Sequence, residues 1–440
     1  MEARARLRDD GGVMRIEIIN TGSELMLGNV LNTHQQWLCK QLADVGWIVE
    51  RQTAISDDGK SICNAVRESL GRAELVIVTG GLGPTSDDIT RDEISKLLNR
   101  PLAVDAAVKK HIVDFFAKRG REAPAQTLVQ SQVPEGAIVM TNQHGTAPGL
   151  AWVLDPNPFR ESSRAVLLML PGPPRELKPM FTAQSLPWLK TVLSTPVSFA
   201  VRTLRTTGIG ESDVEANIAG PLAKLVAHGL VIGYCARTGE VDVRLSARGD
   251  HAKGIVLEAE QIVRTLLGAA FYGIDEERIE EVIIRQCTNG GQTLALAESC
   301  TGGLIAHRLT NISGASAVLK VSWVTYSAQS KLSLLGVSER TLAEHGAVSE
   351  AVAREMAEGA RLNSKADYAI AVTGYAGPDG GTDVDPVGTV YIALASQGGT
   401  QVSRRVNRYE RETFKHVTAQ QALELLRREL LGLRQLEAKK

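Results

Sequence analysis

The sequence predicts an α/β protein in which two α/β domains are joined by a small α+β module. Three observations predict this class. Short apolar runs alternate with stretches of helical periodicity, which is typical of βαβ units. Glycine accounts for 41 of 440 residues, whereas aromatic residues make up only 4%. Several glycines directly follow apolar runs, and an α/β fold forms its ligand-binding loops at such strand ends.

Length, charge and cysteine usage exclude several classes of protein. A chain of 440 residues holds about three domains at ~150 residues each. The net charge of −1 excludes a protein whose main role is to grip nucleic acid or an anionic membrane. The five cysteines form no C-x-x-C pair, which fits a reducing cytoplasm. No apolar run approaches the ~20 residues of a membrane span.

Changes in the pattern divide the chain into segments. We predict a disordered extension (1–13), a first α/β domain (14–190), an α+β module (191–275) and a second α/β domain (276–435). The extension is charged and lacks the apolar stretch of a signal peptide. The module carries no catalytic pattern, and has strand-like runs at 201–206, 230–234 and 240–247 and helical stretches at 212–219 and 253–267.

Strand-like runs and helical periods alternate in the first domain. Thr33 and Thr90 are predicted N-caps, because Gln36 and Glu93 complete the S/T-x-x-E/Q capping box. The elements, in order, are a strand at 15–19, a helix from 33 that Gly46 ends, a strand at 74–78, a helix from 90 and a strand at 165–170.

The loop at residues 80–88 gives the strongest binding signal of the first domain. Gly80, Gly81, Gly83 and Thr85 follow a fully apolar strand and precede a helix, so backbone amides there can approach an anionic nucleotide. The carboxylates predicted to hold a divalent cation are Asp87 and Asp88, together with Asp57 and Asp58 of a second loop. The alternative is that these aspartates are only favourable charges at helix starts.

In the second domain, strands are predicted at 293–297, 368–372 and 390–395, and a helix begins at Leu304. Glycine-rich turns follow the first two of these strands. A closing helix carries an apolar stripe made of Leu423, Leu426, Leu430 and Leu433.

Residues 298–303 carry the argument for catalysis. Ser299 ends a buried strand just before a helix, which places its hydroxyl at the sheet edge where α/β proteins bind ligands. We predict that the backbone amides of Gly302 and Gly303 form an oxyanion hole or anion cradle. A helix-cap role for Ser299 is the alternative. Cys300, the rival nucleophile, is expected to pack as a small apolar residue.

A nucleophilic serine needs a base, and no histidine is suitably placed in the sequence. The candidates for this role are Tyr326 and Lys331. Because positions i and i+5 of a continuous helix diverge by ~140°, the two converge only if Tyr326 ends a strand and Lys331 lies in the following helix. A lysine base also needs its pKa lowered by burial or by nearby positive charge. The alternative is that Lys331 is a solvated lysine.

These motifs resemble a known family. Residues 22–28, 80–91, 145–149 and 170–172 of this chain resemble motifs in the N-terminal half of the CinA (competence- and damage-inducible) family. Its C-terminal half is similar at residues 297–303, at Tyr326 with Lys331, and at residues 373–381 and 386–391. The resemblance spans about residues 14–431. It implies a molybdopterin-binding-type (MoaB/MogA-like) α/β domain, a KH-like middle domain and a C-terminal nicotinamide-nucleotide amidase domain.

For the C-terminal domain, the resemblance implies hydrolysis of nicotinamide mononucleotide (NMN) to nicotinate mononucleotide and ammonia, in pyridine nucleotide salvage and without a cofactor. Ser299 would be the nucleophile, Lys331 its base and Tyr326 an aid to proton transfer. The implied substrate contacts are Thr301, Gly302, Gly303, Thr373, Gly374 and Gly377, with Arg411 or Lys415 on the phosphate.

For the first domain, the resemblance implies an ADP-ribose pyrophosphatase that depends on a divalent metal (Mn²⁺, Co²⁺, Ni²⁺ or Mg²⁺). It also implies a homodimer. The sequence departs from the family at Asn32 and His34, where the family has Asp and Asn, and at Tyr375, Asp379 and Lys415. The alternative to an enzyme is a pterin- or nucleotide-binding accessory protein linked to DNA uptake.

Overall fold

The computed structural model describes residues 14–193 and 198–433. The predicted extension at 1–13 lies outside the described residues. The chain forms two compact units, one ending at Phe199 and one beginning at Ala200. The second unit contains both the middle module and the C-terminal domain, so the predicted boundaries at 190 and 276 stay predictions. Among the described residues, no helix has both the length and the apolar character to cross a membrane.

The first unit is built on a mixed sheet with helices on both faces. Its strands are β1 (Ile16–Thr21), β2 (Val49–Ile55), β3 (Leu75–Thr79), β4 (Leu102–Val104), β5 (Gln132–Pro134), β6 (Ile138–Met140), β7 (Gly149–Leu154) and β8 (Ala165–Leu170). Its helices are α1 (Ser23–Met26), α2 (Thr33–Ala43), α3 (Gly59–Leu70), α4 (Thr90–Leu97), α5 (Ala106–Ala117), α6 (Pro174–Met180) and α7 (Leu186–Val192).

The strand order of this sheet is β2-β1-β3-β8-β7-β6, with β2, β1, β3 and β8 parallel. Every residue of β1, β3 and β8 is buried, because helices cover both faces of the sheet, and this explains their nearly continuous apolar sequences. Their carboxyl ends share one edge, so the loop at 80–88 begins at that edge. The predicted strands of this domain are confirmed.

Both predicted N-caps are wrong. Helix α2 begins at Thr33, but Asn32 precedes it in a non-helical conformation and its Oδ1 accepts a hydrogen bond from the Gln35 amide at 3.2 Å. Helix α4 begins at Thr90, whose hydroxyl is buried and lies 3.3 Å from that of Thr21 on β1. Each threonine therefore lies inside the first turn, one position after the residue that caps or precedes it.

The middle module comprises β9 (Phe199–Thr207), α8 (Glu211–Ala227), β10 (Val231–Arg237), β11 (Glu240–Arg248), α9 (Ala252–Leu267) and β12 (Phe271–Ile274). Its strand order is β10-β11-β9-β12, a split βαβ arrangement. Helices α8 and α9 cover one face through an apolar core that includes Leu204, Ile218, Val243 and Val263. The predicted α+β class is confirmed, although α8 is longer than the stretch predicted at 212–219.

The C-terminal domain has a second mixed sheet. Its strands are β13 (Leu294–Glu298), β14 (Leu319–Val324), β15 (Tyr368–Gly374), β16 (Thr389–Ser396) and β17 (Gly399–Val406). Its helices are α10 (Ile279–Gly290), α11 (Leu304–Thr310), α12 (Ala315–Val318), α13 (Ala328–Leu335), α14 (Glu339–His345), α15 (Glu350–Ser364) and α16 (Arg411–Leu430).

The strand order here is β14-β13-β15-β16-β17, in which β14, β13 and β15 are parallel and β16 and β17 complete an antiparallel edge. One face packs on α15, and the other packs on α10, α11 and α16. The three parallel strands end at one edge, where the Ser299 turn, the Tyr326 turn and the glycine-rich loop after β15 meet.

Helix α16 extends from this edge to the middle module. Leu423 and Leu426 are fully buried, as the apolar stripe predicts, whereas Leu433 lies beyond the helix and is 40% exposed. Two polar residues of the same helix bond to the middle module. Gln420 donates a hydrogen bond to Glu240 of β11 at 3.0 Å, and Arg427 donates to the Phe271 carbonyl of β12 at 3.4 Å.

Arg427→Met is expected to destabilise the second unit by about 3–5 kcal/mol, the usual cost of removing one partner of a buried ion pair. Arg427 is 2% exposed and donates to the Glu424 carboxylate at 2.6 and 2.9 Å. Burial raises the pKa of Glu424 above its usual value, so a carboxylate without its guanidinium is costly, and part of the lost stability returns as falling pH protonates it. Urea unfolding at pH 8 and pH 5 measures both effects.

The matched control is Arg340→Met, because Arg340 forms an exposed ion pair with Glu344 and is 83% exposed itself. Such a pair contributes about 1 kcal/mol or less. Equal losses in the two variants would contradict the structural role assigned to Arg427.

Candidate active site

Ser299 stands at the turn between β13 and α11. Its amide donates to the Val372 carbonyl of β15 at 3.1 Å, which holds the turn against the neighbouring strand. Gly302 and Gly303 then adopt φ values of +62° and +92°, and glycine is the residue that tolerates this region. The chain thereby reverses sharply enough to begin α11 directly after the serine.

Lys331 reaches Ser299 from the next element of the sheet. Strand β14 ends at Val324, Tyr326 follows in the turn, and Ser327 caps α13, which carries Lys331. This is the strand-then-helix arrangement that convergence requires. The Lys331 Nζ donates to Ser299 Oγ at 3.0 Å and to the Thr325 carbonyl at 2.7 Å.

The surroundings of Lys331 favour the neutral amine. The side chain is 1% exposed, and burial lowers its pKa from the ordinary lysine value; the one opposing influence is the Cys300 thiol. Burial in turn raises the pKa of Cys300 to about 12, so this thiol carries no charge near neutral pH. Cys300 packs in the apolar core below the turn, and the Ser299 hydroxyl is the group that accepts a hydrogen bond from the Lys331 amine.

The two side chains open into a cavity of about 200 Å³. Lys331 and Arg411 are the charged residues that line it, and the lining contains no carboxylate among the described residues. The remaining lining residues are Ser299, Cys300, Tyr326, Ala347, Val348, Thr373, Gly374 and Ala376. Arg411 gives the cavity a positive charge, and Ala347, Val348 and Ala376 give it an apolar wall. The lining therefore suits a ligand that has both an anionic group and an apolar surface.

Arg411 joins two parts of the cavity mouth. Its Nη1 donates to the Gly377 carbonyl at 2.8 Å, and its Nη2 donates to the Tyr326 hydroxyl at 2.6 Å. Tyr326 is 63% exposed, and among the described residues its hydroxyl is bonded to Arg411 and not to Ser299 or Lys331. Lys415, one turn along α16, places its Nζ 3.8 Å from the position of a Cβ built on Gly302.

The two predicted threonine contacts have partners within the protein. Thr301 is fully buried, and its hydroxyl donates to the Glu298 carboxylate at 2.7 Å. Thr373 lines the cavity, but its hydroxyl donates to the Ala347 carbonyl at 2.7 Å. Thr373 therefore fixes the apolar wall that Ala347 and Val348 form, and Thr301 belongs to the support beneath the Ser299 turn.

The predicted oxyanion hole is not available at the glycine turn. The Gly302 amide donates to the Ser299 carbonyl at 3.0 Å, and the Gly303 amide donates to Glu298 at 3.0 Å. Sequence reasoning missed Glu298 as an acceptor, although one signal was present. A charged residue that ends an otherwise apolar, buried strand is rare unless it has partners.

In the first unit, the loop at 80–88 forms one wall of an open cavity of about 660 Å³, lined by Gly83, Thr85 and Asp88 together with Arg91. Gly80 and Gly81 lie deeper. A Cβ on Gly80 would lie 2.6 Å from the Thr21 carbonyl oxygen, and one on Gly81 would collide with Thr90. These two glycines are therefore needed where the loop crosses β1 and α4.

The structure does not bring the four predicted metal ligands together. Asp57 accepts from the Ser23 amide at 2.8 Å, Asp58 caps α3 through the Ser61 amide at 2.9 Å, and Asp88 accepts from the Thr85 amide at 3.0 Å. Within residues 14–193 and 198–433, no group of three or more His, Cys, Asp or Glu residues is placed to hold a metal ion. The carboxylates instead order their own loops.

Two of the positions that depart from the family pattern, Asn32 and His34, lie at the beginning of α2. Asn32 caps α2. His34, the second residue of that helix, has its pKa lowered by burial and by Lys178, so its imidazole is neutral at neutral pH.

Comparison with known proteins covers nearly the whole chain. Family models described as a probable molybdopterin binding domain, a damage-inducible protein CinA KH domain and a CinA C-terminal domain match residues 17–191, 201–273 and 276–430. A CinA-like protein of Akkermansia muciniphila is 41% identical over 411 residues, which is 93% of this chain and 96% of that protein. A putative competence-damage inducible protein of Symbiobacterium thermophilum is 41% identical over 434 residues, 95% of this chain and 99% of that protein.

A crystal structure of the competence/damage inducible protein CihA from Agrobacterium tumefaciens is 42% identical, with a TM-score of 0.33. It covers 36% of this chain and 94% of its own. The matches to the two full-length relatives extend through both units. This chain belongs to the CinA family, with a molybdopterin-binding-type domain, a KH-like domain and a CinA C-terminal domain in that order.

Proposed function

We propose that the C-terminal domain is a serine–lysine amidohydrolase that converts NMN and water to nicotinate mononucleotide and ammonia. One observation carries the proposal. The amine of Lys331, buried and without a carboxylate partner among the described residues, lies 3.0 Å from the Ser299 hydroxyl in a cavity. A desolvated lysine at this distance has the geometry and the basicity of a general base.

The proposed reaction has two halves. Lys331 takes the proton of Ser299 as Oγ attacks the carboxamide carbon, and then passes that proton to the departing nitrogen, which leaves as ammonia. Water next adds to the ester formed on Ser299, and Lys331 takes a proton from this water. The bond between Ser299 Oγ and the acyl carbon then breaks, Lys331 returns the proton to Oγ, and nicotinate mononucleotide leaves. The Thr325 carbonyl accepts one N–H of the amine at 2.7 Å. To act as the base, the neutral amine must turn its lone pair toward the Ser299 hydroxyl, so that the direction of the hydrogen bond between the two groups reverses.

The cavity lining supports a pyridine nucleotide as substrate. Ala347, Val348 and Ala376 provide an apolar wall for a flat ring. Arg411, at the mouth, presents a guanidinium suited to bidentate contact with phosphate. Lys415 adds a second positive charge beside Gly302.

Arg411→Gln is expected to raise the KM for NMN by about 10-fold or more and to change kcat by less, because a hydrogen bond to a charged group contributes about 1.5–3 kcal/mol. Steady-state kinetics with NMN and with nicotinamide riboside, which lacks the phosphate, separate the phosphate contact from the rest. With the riboside as substrate, KM and kcat should be the same for wild type and variant. Arg285→Gln, on α10 and outside the cavity lining, is the control. If Lys415→Gln raises KM more than Arg411→Gln does, the phosphate contact belongs to Lys415.

The test of the function is product analysis. The purified full chain is incubated with NMN, nicotinamide riboside, nicotinamide and ADP-ribose, each with EDTA or with Mn²⁺. We expect equal amounts of ammonia and nicotinate mononucleotide from NMN, unchanged by EDTA. If NMN is left intact under both conditions, the proposal is wrong. AMP formed from ADP-ribose only with Mn²⁺ would support the separate pyrophosphatase prediction for the first domain.

The topology of the middle module argues against a role in nucleic-acid binding. KH domains hold nucleic acid with a Gly-x-x-Gly loop between two helices. Within residues 198–274, α8 is followed by a β-hairpin and α9 by a short turn into β12, so no loop of this module joins two helices. The net charge of −1 supports the same expectation.

A further inference from the structure

Glu298, the last residue of β13, has a carboxylate that is completely buried beneath the Ser299 turn. One oxygen accepts from the Thr301 hydroxyl at 2.7 Å and from the amides of Gly303 and Ile305 at 3.0 and 3.1 Å. The other oxygen accepts from the Ala306 amide at 2.9 Å. This one side chain thereby satisfies three amides at the beginning of α11, where Gly303 has no side chain to cap them.

The same residue also braces the other half of the site. Its backbone carbonyl accepts from the Thr325 amide at 2.8 Å, and the Thr325 carbonyl in turn accepts from Lys331. Glu298 thus connects the turn that carries Ser299 with the turn that leads to Lys331. The proposed chemistry depends on the distance between those two turns.

The groups around the Glu298 carboxylate are hydrogen-bond donors, so this position needs a side chain that only accepts hydrogen bonds. Three of its four partners are backbone N–H groups, which can only donate. A buried carboxylate with several charge-assisted hydrogen bonds is a strong local constraint. A glutamine of the same size would direct its NH₂ group against at least one of these donors.

We propose that Glu298 is a positioning residue, which holds the Ser299–Gly303 turn so that the Ser299 hydroxyl stays within reach of the Lys331 amine. The inference rests on the proposed Ser299–Lys331 chemistry. Glu298 contacts neither the cavity nor the reacting atoms, and acts only through the turn it orders.

The experiment compares wild type, Glu298→Gln and the matched control Glu355→Gln. Glu355 of α15 accepts from the Ser338 amide at 2.8 Å and from the Thr341 hydroxyl at 2.6 Å, and it lies outside the cavity lining. Two readouts are used: kcat and KM with NMN, and the rate at which a fluorophosphonate labels Ser299. For Glu298→Gln we expect kcat and the labelling rate to fall at least 100-fold, with KM within threefold of wild type. For Glu355→Gln we expect less than a threefold change in either rate. Melting temperatures show that each variant is folded.

Wild-type labelling by folded Glu298→Gln would overturn the inference, as would a change confined to KM. If Glu298→Gln does not fold, Glu298→Asp decides, because its shorter side chain keeps the charge but cannot reach all four donors. A labelling rate at least 10-fold below wild type supports the inference, and an unchanged rate overturns it. Labelled wild type that leaves NMN intact would refute the proposed substrate while the labelling ratio still decides the role of Glu298.

Discussion

Ser299→Ala is expected to reduce ammonia release from NMN by about 10⁴-fold or more, the scale on which hydrolases lose activity with their nucleophile. The two nearby threonine hydroxyls do not take its place, because those of Thr301 and Thr373 donate to Glu298 and Ala347. Substrate binding should survive, because alanine leaves the cavity lining otherwise intact. Ammonia release measures the loss, and calorimetric titration with NMN measures the binding.

Cys300→Ala is the matched control for this prediction. The thiol packs in the core and its pKa is raised to about 12, so its removal should cost little activity beyond a small packing defect. If Cys300→Ala loses activity while Ser299→Ala keeps full activity, the nucleophile is Cys300 and the proposed mechanism is wrong.

Lys331→Met is expected to lower kcat by about 10³-fold, within the range of 10²–10⁴ typical of general-base catalysis. It should also remove the rise of activity with pH. In the wild type the neutral amine is the active form, so activity increases as pH rises through the pKa of Lys331. Because burial lowers that pKa, the midpoint should lie below the ordinary lysine value. The pH dependence of kcat for both proteins measures this.

The same substitution should not destabilise the protein. A lysine whose folded-state pKa lies below its unfolded value costs stability at every pH below the unfolded value, because the unfolded chain binds the proton more tightly. The cost is largest below the folded pKa, and methionine carries no such cost. Lys331→Met should therefore melt at or above the wild-type temperature near neutral pH. Lys320→Met, which replaces an exposed lysine of β14, is the control. If the kcat of Lys331→Met still rises with pH as in the wild type, Lys331 is not the base.

The strands and strand-end positions that the sequence predicts have signals that are local in the chain. Buried parallel strands appear as continuous apolar runs, so β3, β8 and β15 were predicted within a few residues. Ser299 and Lys331 follow the ends of adjacent parallel strands, and the shared edge of a sheet brings such positions together.

The contacts that were missed depend on which of several partners a polar group chooses. The sequence of residues 298–303 does not reveal whether the Gly303 amide turns to a substrate or to Glu298. Similarly, Asn32 and Thr33 can both cap a helix, and only the backbone conformation decides between them. The bond between Tyr326 and Arg411 joins residues 85 positions apart, and no local pattern predicts it.

Helix α16 has a consequence for how the second unit responds to its ligand. Its first turn carries Arg411 at the cavity, and its later turns carry Gln420 and Arg427, which bond to the middle module. One helix therefore carries both the proposed phosphate contact and the bonds to the middle module. If substrate binding strengthens those bonds, thermodynamic linkage requires that breaking them weakens substrate binding by the same coupling free energy. Such coupling would make the middle module part of the energetics of the binding site, although among the described residues it contributes none to the cavity lining.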